Sequence, residues 1–260
     1  MKRIISLILA LCIILACGAL SACSNQSAYD VVNAAMEKTS ALDSMDATVE
    51  MTIDMKTGDE SIALPMIYKI KATGLQSENP KLRMDMTTTV SIAGTTNSIT
   101  MDIYAADGWA YISSNGSGYK MKQDAMDGQM GTDMSTDLIM QPLPEALLKD
   151  CTLQKNDDGS QSVRITIDGK EFMNLFKDMI DSMNSNIGTE AVNLTISDAV
   201  VTITVQDDYI SVYEMEYSMN MEVSGTAVQA TASASVKYNN PGKAVTVTPP
   251  EGYESFPEIG

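Results

Sequence analysis

Histidine is missing from all 260 residues of this chain. That absence excludes Ser-His-Asp and Cys-His catalysis, histidine-ligated zinc or haem, and histidine-based pH sensing. Cysteine is nearly as scarce. Cys12 and Cys17 lie in an apolar N-terminal run and Cys23 at its end, which leaves Cys151 without an internal disulfide partner. Cys151-Thr152-Leu153 sits in a strand-like pattern, where a small buried apolar side chain is expected; a reactive thiol would need a basic neighbourhood. Positive charge is short as well, with 17 Lys and Arg against 34 Asp and Glu and a net charge of −17. Without Lys2 and Arg3 the balance is 15 against 34. Such a surface repels nucleic acid and anionic lipid headgroups. No phosphate loop or nucleotide fingerprint occurs, nor the Asp-x-Asp-x-Asp-Gly pattern of a calcium loop. The acidic pairs Asp157-Asp158 and Asp207-Asp208 fall in turns, where solvation explains them better than general acid–base work in a cleft. Few enzyme classes survive these absences, and neither a metal nor a cofactor is expected.

The N-terminus is the most legible part of what is present. Lys2 and Arg3 precede an apolar run from Ile4 to Leu15 that only Ser6 interrupts, and small residues lead to Leu20-Ser21-Ala22-Cys23. The run is shorter than the roughly 20 residues of a spanning helix. It has the layout of a secretory leader, and the tetrad at its end is a bacterial lipobox. Residues 1–22 are therefore expected to be a lipoprotein signal peptide, and residues 23–27 a short tether lipidated at Cys23. Two acyl chains, at about 0.8 kcal/mol per buried methylene, make a stable anchor where one is marginal. The expected location is the extracytoplasmic face of the cell membrane.

Beyond the tether, Ser27 and Asp30 are spaced as a capping box, and Val31, Val32, Ala35, Thr39 and Leu42 share one helical face. The period then changes to two. Ala47, Val49, Met51, Ile53 and Met55 alternate with polar residues, as do Ile62 to Ala72, Leu82 to Met86 and Ile99 to Ile103. This is the mark of strands wet on one side only. Asp107-Gly108 signals a tight hairpin turn before Trp109-Ala110-Tyr111. Residues 123–149, rich in Met, Asp and Gly, are expected as a long loop or lid. Strands follow near Cys151–Gln154 and Val163–Ile167. Asp168 then caps a second helix with Phe172, Leu175, Phe176, Met179 and Met183 as its apolar stripe. Further strands cover 191–206, with a phase shift near Asp198, then Tyr213–Val223 and Val228–Val236. The expected domain spans 28–248, followed by an extended tail at 249–260. Its fold class is α+β: a large antiparallel sheet of about 10–11 strands, curved into an open half-barrel and capped by two or three helices.

Methionine is abundant, at 20 residues against three Phe, and most of it falls on the apolar faces. Thioether side chains repack around varied apolar partners, so a pliable cavity between sheet and helices is one reading, and a core that uses Met in place of Leu the other. Alternation nominates Met51, Met55, Met84, Met86, Met101, Phe172, Phe176, Met215 and Met219 for the ligand side. Met126, Met130 and Met134 would align three thioethers on one helical face. Soft Cu(I) could use them, but without histidine a lid over the cavity fits better.

The lipobox, the helix behind it, Asp107-Gly108-Trp109-Ala110-Tyr111, Gly118-Tyr119-Lys120 and Val245-Thr246-Val247-Thr248-Pro249-Pro250 together resemble a family of uncharacterised extracytoplasmic lipoproteins of Gram-positive bacteria. That family is similar to the LolA/LolB and LppX-type fold. The resemblance covers most of the chain after the leader. It implies a half-barrel with an apolar cavity for lipids or acyl chains. An enzyme is not expected, on the separate ground that no nucleophile–base constellation can be named. LolA-type carriers use a cavity arginine; Arg83 and Arg164 alternate onto the wet faces, so neither matches it. The alternative is a non-catalytic interaction module of the cell envelope with a filled core. A protein partner is not readable from the sequence.

Overall fold

The structure, a computed structural model, describes residues 24–58, 60–77, 79–92, 95–123, 151–170, 173, 193–223 and 226–259. Among the described residues a long helix, α1 (Ser24–Ser40), leads into twelve strands. These are β1 (Ser44–Thr57), β2 (Glu60–Thr73), β3 (Lys81–Ile92), β4 (Thr95–Ala106), β5 (Trp109–Ser114), β6 (Ser117–Lys122), β7 (Thr152–Lys155), β8 (Gln161–Ile167), β9 (Asn193–Ile196), β10 (Ala199–Gln206), β11 (Tyr209–Val223) and β12 (Thr226–Tyr238). They form one antiparallel sheet in the order β6-β5-β4-β3-β2-β1-β12-β11-β10-β8-β7, with β9 paired to β11 beside this path. The sheet is open: β6 and β7 are its ends among the described residues.

Local chemistry explains the hairpins. Asp107-Gly108, Asn115-Gly116 and Asp207-Asp208 all take positive φ in two-residue connections, the conformation whose twist matches that of the flanking strands. Asp and Asn tolerate the left-handed region better than other residues that carry a Cβ. The phase shift expected near Asp198 is a break between two strands. β9 pairs with β11 at Met219–Glu222, whereas β10 pairs with β11 at Tyr209–Glu216 and with β8.

α1 spans Ser24–Ser40, so Ser27 is inside the helix and does not cap it, and residues 24–27 of the expected tether are helical. The helix buries Ala28, Val32, Ala35, Met36 and Thr39 against Val163, Ile165, Val201 and Ile203 of the sheet. Cys151 is buried in the same cluster. At the last turn Thr39 makes two bonds. Its hydroxyl donates to the Ala35 carbonyl (2.6 Å) and accepts from the Ile210 N–H (3.0 Å), tying helix to sheet. Asp168 Oδ1 accepts from the Lys170 N–H (2.9 Å), as a cap would. The stripe of the second expected helix, including Phe172 and Phe176, lies outside the described residues, as do the 124–150 segment and Met126, Met130 and Met134.

After β12 the chain crosses the sheet as a strap. The Lys243 carbonyl accepts from Ser44 Oγ (3.2 Å), and the Thr248 carbonyl from Arg83 Nη1 (3.0 Å). A 3-10 turn at Tyr253–Ser255 sets the Tyr253 ring edge-on to Tyr104 and Tyr111, with centroids 5.3 and 4.9 Å away. Phe256 lies on Gly118, where a Cβ would run into its ring. Lys120 then exchanges backbone bonds with Pro257 and Ile259, both 2.9 Å, in a parallel bridge on the edge strand β6. The stretch expected to be merely extended, 249–260, therefore contains a turn and three separate attachments, at Tyr253, Phe256 and Pro257–Ile259.

Candidate functional site

Strand register decides which side chains meet. Ladder partners in this sheet share a face, and the face is identified by the cluster that α1 buries. One row on the helix side reads Val201, Met215, Ala234, Met51, Met66, Thr88, Ile99. The next reads Ile203, Tyr213, Val236, Val49, Tyr68, Met86, Met101. Met219, Ala230, Met55 and Ile62 form a row nearer the hairpin tips, and Ile70, Met84, Ile103 and Ile112 one nearer the start of β1. All seven methionines nominated by alternation therefore stand on one side of one sheet. Met84 is buried and the other six are half-buried. Ile62 and Ile99, on the same side, are 39% and 43% exposed. A graded transition thus runs from a sealed core under α1 to an accessible apolar surface toward the tips.

The side carries no charge over a large area. From Met45 to Met55, Ile62 to Ala72, Leu82 to Thr88, Ile99 to Ala105, Tyr213 to Met219 and Val228 to Tyr238, the residues facing the helix include no Asp, Glu, Lys or Arg. The polar groups present are chiefly tyrosines. Burial pushes the Tyr213 and Tyr217 phenols up, and burial with the neighbouring Tyr213 pushes Tyr238 up to about 12. Tyr68 donates to the Met66 sulfur at 3.4 Å. Sequence reasoning passed over one component of this side. Ala230, Ala232 and Ala234 of β12 lie between Met215, Tyr217 and Met219 on β11 and Met51, Ile53 and Met55 on β1. Small side chains between two columns of large ones lower the floor along the strand, over roughly 13 Å for four residue steps. The regular alanine spacing was the available signal.

The opposite side holds the charges. Arg83 and Arg164 both stand there, as alternation implied. Arg83 pairs with Asp102 at 2.7 Å and with Asp85 at 3.3 Å. Burial raises the Asp102 carboxyl above its ordinary value despite the opposing pull of Arg83, and Asp102 Oδ1 is buried without a partner. A polar groove of about 370 Å³ opens around Glu50, Thr202, Arg164, Glu214, Glu216 and Ser235. No group of three or more acidic or cysteine residues among the described residues could hold a metal ion. Nor is any helix among them long and apolar enough to cross a membrane.

A model for a family of unknown function, DUF6612, matches residues 27–251. No curated protein matches the sequence. Among solved structures, LprF from Mycobacterium bovis superposes with a TM-score of 0.44 at 14% identity, covering 87% of this chain and 98% of LprF. A DUF1329 family protein from Desulfovibrio piger gives 0.24 at 12% identity, covering 83% and 91%. A domain assigned to outer membrane lipoprotein sorting, from Vibrio parahaemolyticus, gives 0.23 at 11% identity, covering 85% and 95%.

Proposed function

The chain belongs to the DUF6612 family, and from that premise we propose that it is a membrane-anchored extracytoplasmic lipoprotein that holds an apolar ligand, a lipid or acyl chain, against the helix side of its sheet. The observation that carries this reading is the uncharged side. A chain with 34 acidic residues places none of them at the helix-facing positions of the six strand runs named above. Charge exclusion that extends beyond the sealed core, to half-buried methionines and exposed isoleucines, supports a surface reserved for hydrocarbon. The alanine floor on β12 gives such a chain a direction along the strands, and the flanking thioethers repack to its shape. Cys23 is the proposed anchor, which keeps the protein at the outer surface of its membrane. No catalytic step is assigned.

The test is native mass spectrometry of the chain from Cys23 onward, followed by denaturing extraction. An apolar molecule at defined stoichiometry is expected. It should be lost in Met86→Asp and in Met215→Asp, and kept in Thr52→Asp, which places a charge on the other side. Circular dichroism and thermal melting identify any variant that has merely unfolded, and for such a variant Met86→Gln is substituted. Equal loss in Thr52→Asp would overturn the assignment of sides. A protein that remains empty after incubation with envelope lipids would favour an interaction module with a filled core.

A further inference from the structure

The polar side of the sheet is not uniformly acidic. Around the end where β1 begins, adjacent strands place Lys69, Lys71, Lys81, Arg83, Lys120 and Lys122 on this side. Six of the fifteen basic residues beyond Cys23 thus share one corner. Asp46, Asp85 and Asp102 are the acidic strand residues set among them. Aromatic rings lie beside the cations. The chain's single tryptophan, Trp109, has Lys122 Nζ 3.7 Å and Lys120 Nζ 5.0 Å from its ring centroid, and Tyr104 and Tyr111 stand in the next row.

The strap passes over this same corner. After Lys243 it carries Glu251, Glu254 and Glu258 and no basic residue. Its attachments there are few: the Thr248 carbonyl on Arg83, Tyr253 and Phe256 on their ring contacts, and the two backbone bonds at Lys120. None of them continues a strand ladder, so the strap can lift while the twelve-stranded sheet stays paired.

We propose that this basic, aromatic corner is a docking surface for an anionic phospholipid bilayer, and that the acidic strap covers it in competition with that bilayer. Lysine with tryptophan and tyrosine is a composition suited to the interfacial zone of a membrane. Each lysine brought within a Debye length of an anionic headgroup layer adds attraction that salt screens. A surface that is acidic overall repels the same layer, so this corner sets the orientation. The choice of a bilayer as partner rests on the anchoring at Cys23 proposed above, which keeps a membrane in reach.

The experiment is co-sedimentation of the unacylated chain from Cys23 onward, which includes every described contact, with vesicles of phosphatidylglycerol and phosphatidylcholine or of phosphatidylcholine alone. The combined Glu251→Gln, Glu254→Gln and Glu258→Gln variant is expected to partition onto the anionic vesicles about tenfold more than the parent. Adding Lys120→Gln and Lys122→Gln, or raising the salt, should remove the gain. Hydrogen exchange of the Lys120 and Ile259 amides should quicken on vesicles as the strap lifts. No gain in the triple variant, an equal gain on neutral vesicles, or a gain that survives loss of the lysines would overturn the docking surface. Unchanged amide protection on bound vesicles would overturn the cover. Anchoring is read separately from the mass of the Cys23 peptide, so failure of one idea is distinguishable from failure of the other.

Discussion

Single residues on this sheet answer for specific properties. Tyr238 is 7% exposed, and its phenol is pushed up to about 12 by burial and by Tyr213. In the unfolded chain the same group ionises near its ordinary 10.0. The folded state therefore holds the proton more tightly, and stability falls as pH rises from 10.0 toward about 12. Tyr238→Phe should flatten that alkaline limb in urea titrations run at a series of pH values, even if it lowers stability near neutrality. An unchanged slope would assign the limb to another group. Gly118 offers a steric test. A Cβ there meets the Phe256 ring, and overpacking of this kind costs typically 1–3 kcal/mol. Gly118→Ala should lower the melting temperature and speed proteolysis of the last ten or so residues. A strap that stays protected would mean that Phe256 can move aside at little cost.

Among the elements, α1 depends on one hydroxyl. Thr39 links the end of the helix to the β11 backbone, and both groups are buried. Thr39→Val keeps the shape but strands the Ile210 N–H, at a cost of about 1–3 kcal/mol. Ser40→Ala, which removes an exposed bond to the Glu37 carbonyl, should change stability far less. Chemical denaturation of the pair separates the two cases, and equal effects would refute a special role for Thr39. The strands and their faces were legible because Met51, Met86 and Met215 each alternate with wet neighbours, and a period of two maps directly onto two sides of a sheet. Helix boundaries were less so. Ser27 and Asp30 have capping-box spacing, yet the helix spans Ser24–Ser40, because the box is a local option that helical packing further along overrides. The strap was legible as an extended tail, but its contacts were not. Thr248, Tyr253 and Phe256 make isolated contacts in a stretch with no period, and their partners on β3 to β6 lie far away in sequence. The alanine floor was half-visible: the spacing is plain in β12, but its meaning depends on Met215 and Met51 standing on either side.

For the molecule as a whole, charge is the dominant stress. A net charge of −17 is opposed by four ion pairs among the described residues, three of which include a half-exposed or more exposed partner. Self-repulsion of this size is screened by salt. The melting temperature should therefore rise as ionic strength goes from a few millimolar to about 150 mM. A fall would mean that attractive pairs such as Arg83–Asp102 outweigh the net repulsion. The strand order carries a different kind of consequence. β2 to β6 are joined to one another by short hairpins, and each can pair as soon as its neighbour exists. β1, however, has β12 as its second partner, with Met51 opposite Ala234 and Val49 opposite Val236. The middle of the sheet is thus the last part to be made. A chain produced from its N-terminus must hold β1, with its methionines, unpaired on one edge until nearly all the remaining residues have appeared. During that interval it offers the same apolar surface to chaperones and proteases, and its maturation is timed by the arrival of its final strand.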